Sequence, residues 1–581
     1  MKNNKIIAFL TKSLPETKAT LELEKKRKLP KAVSVIVRLV LIMIVLIFIG
    51  GFCIAKTIEK YTAKFEQADS TALLDFKKAE PIEVTLTQKQ KKQDFQYLYD
   101  ALKKGCPGAS IEVNGRSFID KKKEYLEIIA DTKSNEEYYY ALSAIFSSIP
   151  SAHTRLLIDK TAFTSYTASY NACNVILPEN ASYTAYWDEL FMNSITNIDI
   201  SDHIEFLYVG GKYIYSPNYS CLGAEYKNSI LISVNDIPID EYITEKTYPS
   251  TIRYDANNEK WYRARADFNA TDGENAQVKI KKADGTEETL DLYFDIAGSA
   301  KFLINYSSEK HKDDDIQKKC YSLGINGNIA YLKLDSFADS SVFELKEKLP
   351  DIPYDIPLII DIRDNTGGYI DYVTEFLYPL IYSDDYTYNS ESFVKISGDL
   401  KSVVYLMMSL FDSNTYKLTY KNFNLSGFHY RMKEEINIKG GDAPKRDIYV
   451  LTGRNTISAA DMFAEIAKEQ ENTLLIGSNT MGEGIFANYY MDILPNSKMV
   501  YLFIPSYAEN TDGMDNSVYG TSPDIYSELS IENFIIQQEL IENGEDPYTY
   551  ENRLKWDNVL IKTLELIKED ENDKGNNIAD E

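Results

Sequence analysis

Histidine is scarce in this chain, with four residues in 581: His153, His203, His311 and His429. A general base that works near neutral pH therefore has few candidates. Cysteine is also sparse, at positions 53, 106, 173, 221 and 320. No C-x-x-C occurs among them, which argues against a zinc knuckle or a thioredoxin-type site. One or two disulfides in an exported domain and buried free thiols both stay open as readings. Positive charge is in deficit, with 63 Lys and Arg against 88 Asp and Glu and a net charge of −25. Nine of the basic residues fall within 1–31, so the remainder is more acidic than the total suggests. Such a polyanion repels nucleic acid and anionic headgroups, and no nucleic-acid partner is expected. Long apolar runs are missing everywhere after residue 55.

The one long apolar run is therefore informative. Leu39–Ala55 carries no charge, and Val33–Val37 extends it across Arg38. Near a helix start, Arg38 can snorkel to the interface. The run is long enough to cross a bilayer core of about 30 Å at about 1.5 Å per residue. Its N-terminal flank is KKRKLPK (Lys25–Lys31). The positive-inside rule then puts the N-terminus in the cytoplasm and the rest of the chain outside. A cleaved signal peptide fits less well, because the basic region is long and Cys53-Ile54-Ala55 is a poor small-x-small site. Phe52 just before Cys53 argues against lipoprotein processing.

The expected organisation is a basic cytoplasmic segment (1–31), a transmembrane helix (32–55) and a stalk (56–80). A helical subdomain (81–158) follows, then a β-rich insert (159–300), an α/β core (301–530) and C-terminal helices with an acidic tail (531–581). In the helical part, Phe95, Leu98, Tyr99 and Leu102 recur on one helix face, and Tyr125, Ile128 and Ile129 repeat the pattern. Ser134 is a natural N-cap for the helix over 136–146. In the insert, Ile230–Val234 and Val278–Ile280 read as strands separated by turn signals. In the core, Leu358–Ile362 is a continuous apolar run, as a strand covered on both faces requires. Ile329–Leu334, Asp447–Leu451, Thr473–Ile476 and Met499–Ile504 read as further strands of this domain, with a helix over 461–468. Residues after Lys568 read as a polar, disordered tail.

Three segments can carry chemistry. Asp361–Gly368 (DIRDNTGG) ends a buried strand in a turn with two glycines, and strand C-termini are where ligands bind in α/β sheets. Paired glycines let a backbone N–H face a substrate, as an oxyanion hole needs. Asn455–Asp461 (NTISAAD) puts Ser458 at a helix start, beside free N–H groups and the positive end of the dipole. A serine there is by default a helix cap. Ser151–Arg155 (SAHTR) supplies His153.

Their order and setting resemble the tail-specific, or C-terminal processing, serine peptidases, especially the branch similar to the tricorn core protease. The resemblance runs over roughly residues 90–530 and includes LIIDIRDNTGG, VLTGRNTISAADMFAEI, GSNTMGEG and GTSPDI. It implies a ClpP/crotonase-like α/β core with an N-terminal helical subdomain. Residues 230–243 (ILISVNDIPIDEYI) resemble a PDZ module, which binds chain termini by adding the peptide as a strand to a sheet edge. It also implies Ser458 as nucleophile, with oxyanion donors at Ala459 and at Gly367 or Gly368. One branch of the family pairs the serine with a lysine about 25 residues on. No lysine lies between Lys468 and Lys498, and Glu483 stands near that place. The resemblance then favours His153 as base, although Ser151-Ala152 replaces the family's usual Asp-Gly. The third residue is assigned to Asp515, with Asp512 and Glu509 as fallbacks, while Asp461 is read as a supporting acid. The expected function is a membrane-anchored, extracytoplasmic serine peptidase acting on peptides or proteins, with neither metal nor organic cofactor. The competing readings are an inactive relative that binds peptides or ligands, and a scaffold or sensor built around the PDZ-like module.

Overall fold

The computed structural model describes residues 79–157, 181–196, 202–215, 221–301, 320–338, 340–395, 416–421, 427–484, 490–510 and 513–579. The basic segment, the apolar run, the stalk up to residue 78, and Cys53, Cys173, His311 and Asp512 lie outside them. Among the described residues no helix is long and apolar enough to cross a membrane. Cys106 and Cys221 are free thiols.

The chain enters through α1 (Gln88–Gly105), α2 (Lys122–Asp131) and α3 (Asn135–Phe146). Thr87 and Ser134 cap α1 and α3 with their hydroxyls, as N-caps do. The predicted face Phe95, Leu98, Tyr99 and Leu102 is buried in one cluster with Tyr125 and Ile145. After α3 the loop carrying His153 runs into β1 (Arg155–Leu157). A further helix, α4 (Ala181–Thr196), docks on the same cluster through Trp187, whose indole N–H donates to Ser497 O at 2.9 Å.

An antiparallel barrel follows. Its strands are β2 (His203–Val209), β3 (Lys212–Tyr215), β4 (Ile230–Val234), β5 (Ile237–Pro238), β8 (Arg265–Asn269), β9 (Glu274–Lys281) and β10 (Glu287–Phe294). The order is β3-β2-β8-β10-β9-β4-β5, and a β3–β4 pairing closes it. Helix α5 (Ile239–Glu245) lies after β5, and the hairpin β6 (Ile252–Asp255) and β7 (Lys260–Arg263) precedes β8.

The α/β domain is a six-stranded sheet of β11 (Tyr321–Asn326), β12 (Ile329–Leu334), β13 (Leu358–Asp361), β17 (Ile448–Thr452), β18 (Thr473–Gly477) and β22 (Ile525–Tyr526). All neighbours are parallel except β11 and β12. Strand β13 shows why its sequence is apolar throughout. Leu358, Ile360 and Ile362 pack in the core with Ala460 and Phe463 of α6 (Ala459–Lys468). Ile359 faces the opposite side, against Val559, Leu560 and Ile567 of the C-terminal helix α9 (Asn558–Ala579). Two further helices, α7 (Ile531–Glu542) and α8 (Tyr550–Trp556), lead into α9.

Three features depart from the expected pattern. Met499–Ile504 does not join the α/β sheet. Its strand β20 (Val500–Phe503) pairs with β1 and with β19 (Tyr490–Ile493), because Met499, Tyr501 and Phe503 bury their side chains among the N-terminal helices. A four-stranded antiparallel sheet of β14 (Tyr386–Lys395), β15 (Tyr416–Lys421), β16 (Gly427–Ile438) and β21 (Ser506–Ala508) had no counterpart in the sequence reading. The polar segment after Lys568 continues α9 as far as Ala579, held where the Tyr449 hydroxyl donates to Asp570 at 2.6 Å.

The C-terminal helices are locked to the end of β13 by charge. Arg363 donates to Asp361 at 2.6 and 2.9 Å and to Asp557 at 2.7 and 2.9 Å. Arg553 donates to Asp361 at 3.0 Å and to Asp557 at 2.7 and 3.0 Å. Both carboxylates are 1% exposed. Burial alone would raise the Asp361 pKa, but Arg363 and Arg553 hold it well below the usual carboxylate range. Breaking a buried pair leaves an uncompensated charge, a cost of about 3–5 kcal/mol. Arg553→Met should lower unfolding free energy by about that amount in urea titration, and a change under about 1 kcal/mol would contradict this clamp.

Candidate active site

Ser458 sits where β17 turns into α6. Thr456 ties this turn to the strand end of β13, its hydroxyl donating to Ile362 O at 2.8 Å and its partner Ile457 N–H donating to Asn365 O at 3.1 Å. Ser458 has φ 61° and ψ −129°, left-handed backbone that a serine seldom adopts. Most other non-glycine residues with positive φ are Asn or Asp, which tolerate it, whereas Ser458 and Glu483 do not share that tolerance. Strain of this kind costs roughly 1–3 kcal/mol and persists only where its surroundings over-determine it. Here the Ser458 N–H donates to Gly482 O at 3.0 Å and its carbonyl accepts from Met462 N–H at 3.0 Å. The Ser458 side chain makes no capping hydrogen bond, so the default role of a helix-start serine is not the one it plays.

The glycine pair lies against this turn. A Cβ on Gly367, at φ +85°, would stand 2.7 Å from Ile457 O and 2.8 Å from Ser458 Cβ, so only glycine fits there. The Gly367 N–H is consumed, donating to Asn365 Oδ1 at 2.8 Å. The Gly368 N–H has no acceptor among the described residues, since the bridge to Phe337 uses the Gly367 carbonyl and the Tyr369 N–H. The Ala459 N–H, first of α6, is likewise without an acceptor there. Gly368 and Ala459 are thus the donors left for an oxyanion, and Gly367 provides the clearance.

His153 is 9% exposed, and the β1–β20 ladder, with Leu156 opposite Tyr501, anchors the segment just after it. Its ring Nδ1 meets the Glu483 carboxylate in a short hydrogen bond. Glu483 also accepts the backbone N–H of Ala152 and of His153, each at 3.1 Å. It is 1% exposed. A proton carried on Nδ1 and donated to Glu483 would make Nε2 the basic nitrogen of the ring. The segment 482–484 thus touches both partners: Gly482 holds the serine backbone and Glu483 holds the imidazole.

The structure brings Glu483 rather than Asp515 to Nδ1. Asp515 caps the short helix Asn516–Tyr519, accepting the Ser517 N–H at 3.0 Å, and its backbone forms an isolated antiparallel β-bridge with that of Glu509. Sequence reasoning counted position 483 only as a missing lysine; the signal available was a carboxylate at the very place where a partner of the serine was sought.

Asp461, read from sequence as a supporting acid, organises this segment. Fully buried at the start of α6, it accepts from the Thr480 and Thr521 hydroxyls, from the Gly484 and Thr521 N–H groups and from the Asn516 amide. Burial raises its pKa while these hydrogen bonds pull the other way. A Cβ on Gly484 would be 2.6 Å from Asp461 Oδ2, so that glycine is what allows the contact.

Residues 328–527 match the model of peptidase family S41. The match covers 200 of the 581 residues, and over them the chain is similar to the serine-type peptidases of that family. No curated protein sequence matches the chain. Among solved structures it is similar to mature CPAF, at 13% identity over 77% of this chain and 94% of that one, with a TM-score of 0.44. It is also similar to the photosystem II D1 C-terminal processing protease, at 14% identity over 76% of this chain and 94% of that one, with a TM-score of 0.31. The tricorn protease aligns at 13% identity over 74% of this chain and 36% of that one, with a TM-score of 0.22.

Asp515 gives a pH prediction. Burial, with Glu509 and Glu483 nearby, pushes its pKa up to about 7 despite the Ser517 hydrogen bonds. The folded chain then holds a proton there that the unfolded chain releases near pH 4, so this group's contribution falls as pH rises from about 4 to about 7. Asp515→Asn should gain unfolding free energy relative to the parent across that window, measured by urea titration. A constant difference between the two proteins would contradict the assignment.

Proposed function

We propose that this peptidase cleaves peptide or protein substrates through an acyl-enzyme on Ser458, from an extracytoplasmic position fixed by the apolar run 32–55. The observation that carries the catalytic reading is the hydrogen bond from His153 to Glu483, on the segment that also holds the Ser458 backbone. Glu483 orients the imidazole and stabilises the imidazolium formed during reaction. His153 Nε2 takes the Ser458 proton as Oγ attacks the substrate carbonyl. The Gly368 and Ala459 N–H groups receive the oxyanion. Collapse expels the amine, which takes the proton from His153, and a water activated by the same imidazole releases the second product. The barrel 203–294 corresponds to the PDZ-like module of the family resemblance.

A fluorophosphonate probe tests the site. The parent protein is labelled, Ser458→Ala loses labelling, and His153→Ala slows it by about 10³–10⁴. A folded parent that stays unlabelled would favour a peptide-binding relative without catalysis. Cys221, an exposed thiol, tests the topology. A membrane-impermeant maleimide should label it in intact cells, and labelling only after lysis would contradict an extracytoplasmic domain.

A further inference from the structure

A PDZ-type module takes a peptide by giving it a strand edge to pair with, beside a helix. The barrel 203–294 leaves no such edge along β2. One side of β2 pairs with β3, and β3 closes onto β4. The other side pairs with β8 over five residues, from His203↔Asn269 to Leu207↔Arg265. Strand β8 is held to the rest of the sheet only by the single pair Tyr293↔Asn269 on its far side. It is therefore attached to β2 and nearly detached from β10, as an added strand would be.

The origin of β8 strengthens this reading. Strand β4 pairs directly with β9, so the unit β4-β5-α5-β9 is complete without residues 252–269. Those residues leave the barrel after α5, form the hairpin β6–β7, and return as β8. On the way, the Lys260 ammonium donates to Asp240 of α5 at 2.9 Å and to Gly211 O of the β2–β3 turn at 2.7 Å. The Arg263 guanidinium donates to Ile243 O at the end of α5 at 2.9 Å. Residues 260–269 thus run between α5 and β2. Two diagonal side-chain pairs fix them: the His203 ring with Asp267 at 3.2 Å and the ion pair of Arg265 with Glu205 at 2.5 Å, with both carboxylates no more than 1% exposed.

The same excursion reaches the catalytic segments. Arg263 donates to Ser147 O at 3.1 Å, and the Ile252 N–H donates to that carbonyl at 3.0 Å, six residues before His153. Arg253 donates to Arg454 O at 2.8 Å, and Arg454 in turn binds Asp255 at 2.8 Å, four residues before Ser458.

We infer that residues 260–269 are a built-in ligand of the barrel, so that substrates are selected without a free C-terminal carboxylate being read in this groove, and the barrel serves as a fixed brace between the His153 and Ser458 segments. The inference rests on the peptidase reading for its consequence, while the filled groove can be tested without catalysis. Full-length Ser458→Ala protein is mixed with an apolar peptide ending in a free carboxylate, or with its amidated twin, and hydrogen exchange is followed. Backbone amides of 203–207 and 265–269 should exchange slowly and equally with either peptide. Faster exchange in 265–269 with the carboxylate peptide alone would mean that β8 is displaced, and would overturn the inference. With active protein, a substrate pair differing only in that terminus should be cleaved with kcat/KM values within about two-fold, and a preference of about ten-fold or more for the free carboxylate would overturn it. Cleavage of neither substrate would count against the peptidase reading, and hydrogen exchange would still decide the groove.

Discussion

The site depends on one buried carboxylate that touches no reactant. Asp461, at the start of α6, gathers donors from Thr480, Gly484, Asn516 and Thr521. A buried charge is tolerable only when its lone pairs are filled, so each of these groups is constrained in position. Fixing 480–484 fixes Glu483, and Glu483 orients the His153 ring and the backbone N–H groups of Ala152 and His153. The same segment supplies the carbonyl that holds Ser458 in its strained conformation. The proposed nucleophile and base, Ser458 and His153, are thereby referred to one segment, although 305 positions separate them in sequence.

Other contacts close the site from outside the α/β domain. Strand β20 pairs with β1, tying the His153 loop to a chain segment that lies beyond Ser458 in sequence. The Arg363 and Arg553 clamp holds the end of β13, from which the Gly367–Gly368 turn departs. Arg553 and Asp557 lie after residue 527, the end of the family match, so this chain's C-terminal helices support the Gly367–Gly368 turn from outside the matched domain.

Much of this was legible in the sequence, for physical reasons. The strands of the central sheet are buried on both faces and read as apolar runs, and their ends carry the catalytic turns. Ser458, Gly367, Gly368, Ala459 and His153 could be singled out as candidates because their segments have recognisable motifs in a fixed order. The acid behind His153 was not found this way, since a carboxylate is common and its role depends on a fold-made contact across 330 positions. Strand β20 looked like any core strand, because an apolar run shows that it is buried and not which sheet buries it. The sheet of β14 and β16 was missed for the converse reason: it is half-exposed, and polar residues such as Asn389, Glu391, Lys433 and Glu435 break its apolar pattern.

The central claim is that Glu483, and not Asp515, works through His153. The most direct measurement is the second-order rate of fluorophosphonate acylation for Glu483→Gln and Asp515→Asn, each confirmed folded. Glu483→Gln should be slowed by about 10²–10⁴ and Asp515→Asn by less than about ten-fold. The reverse ranking would contradict the account.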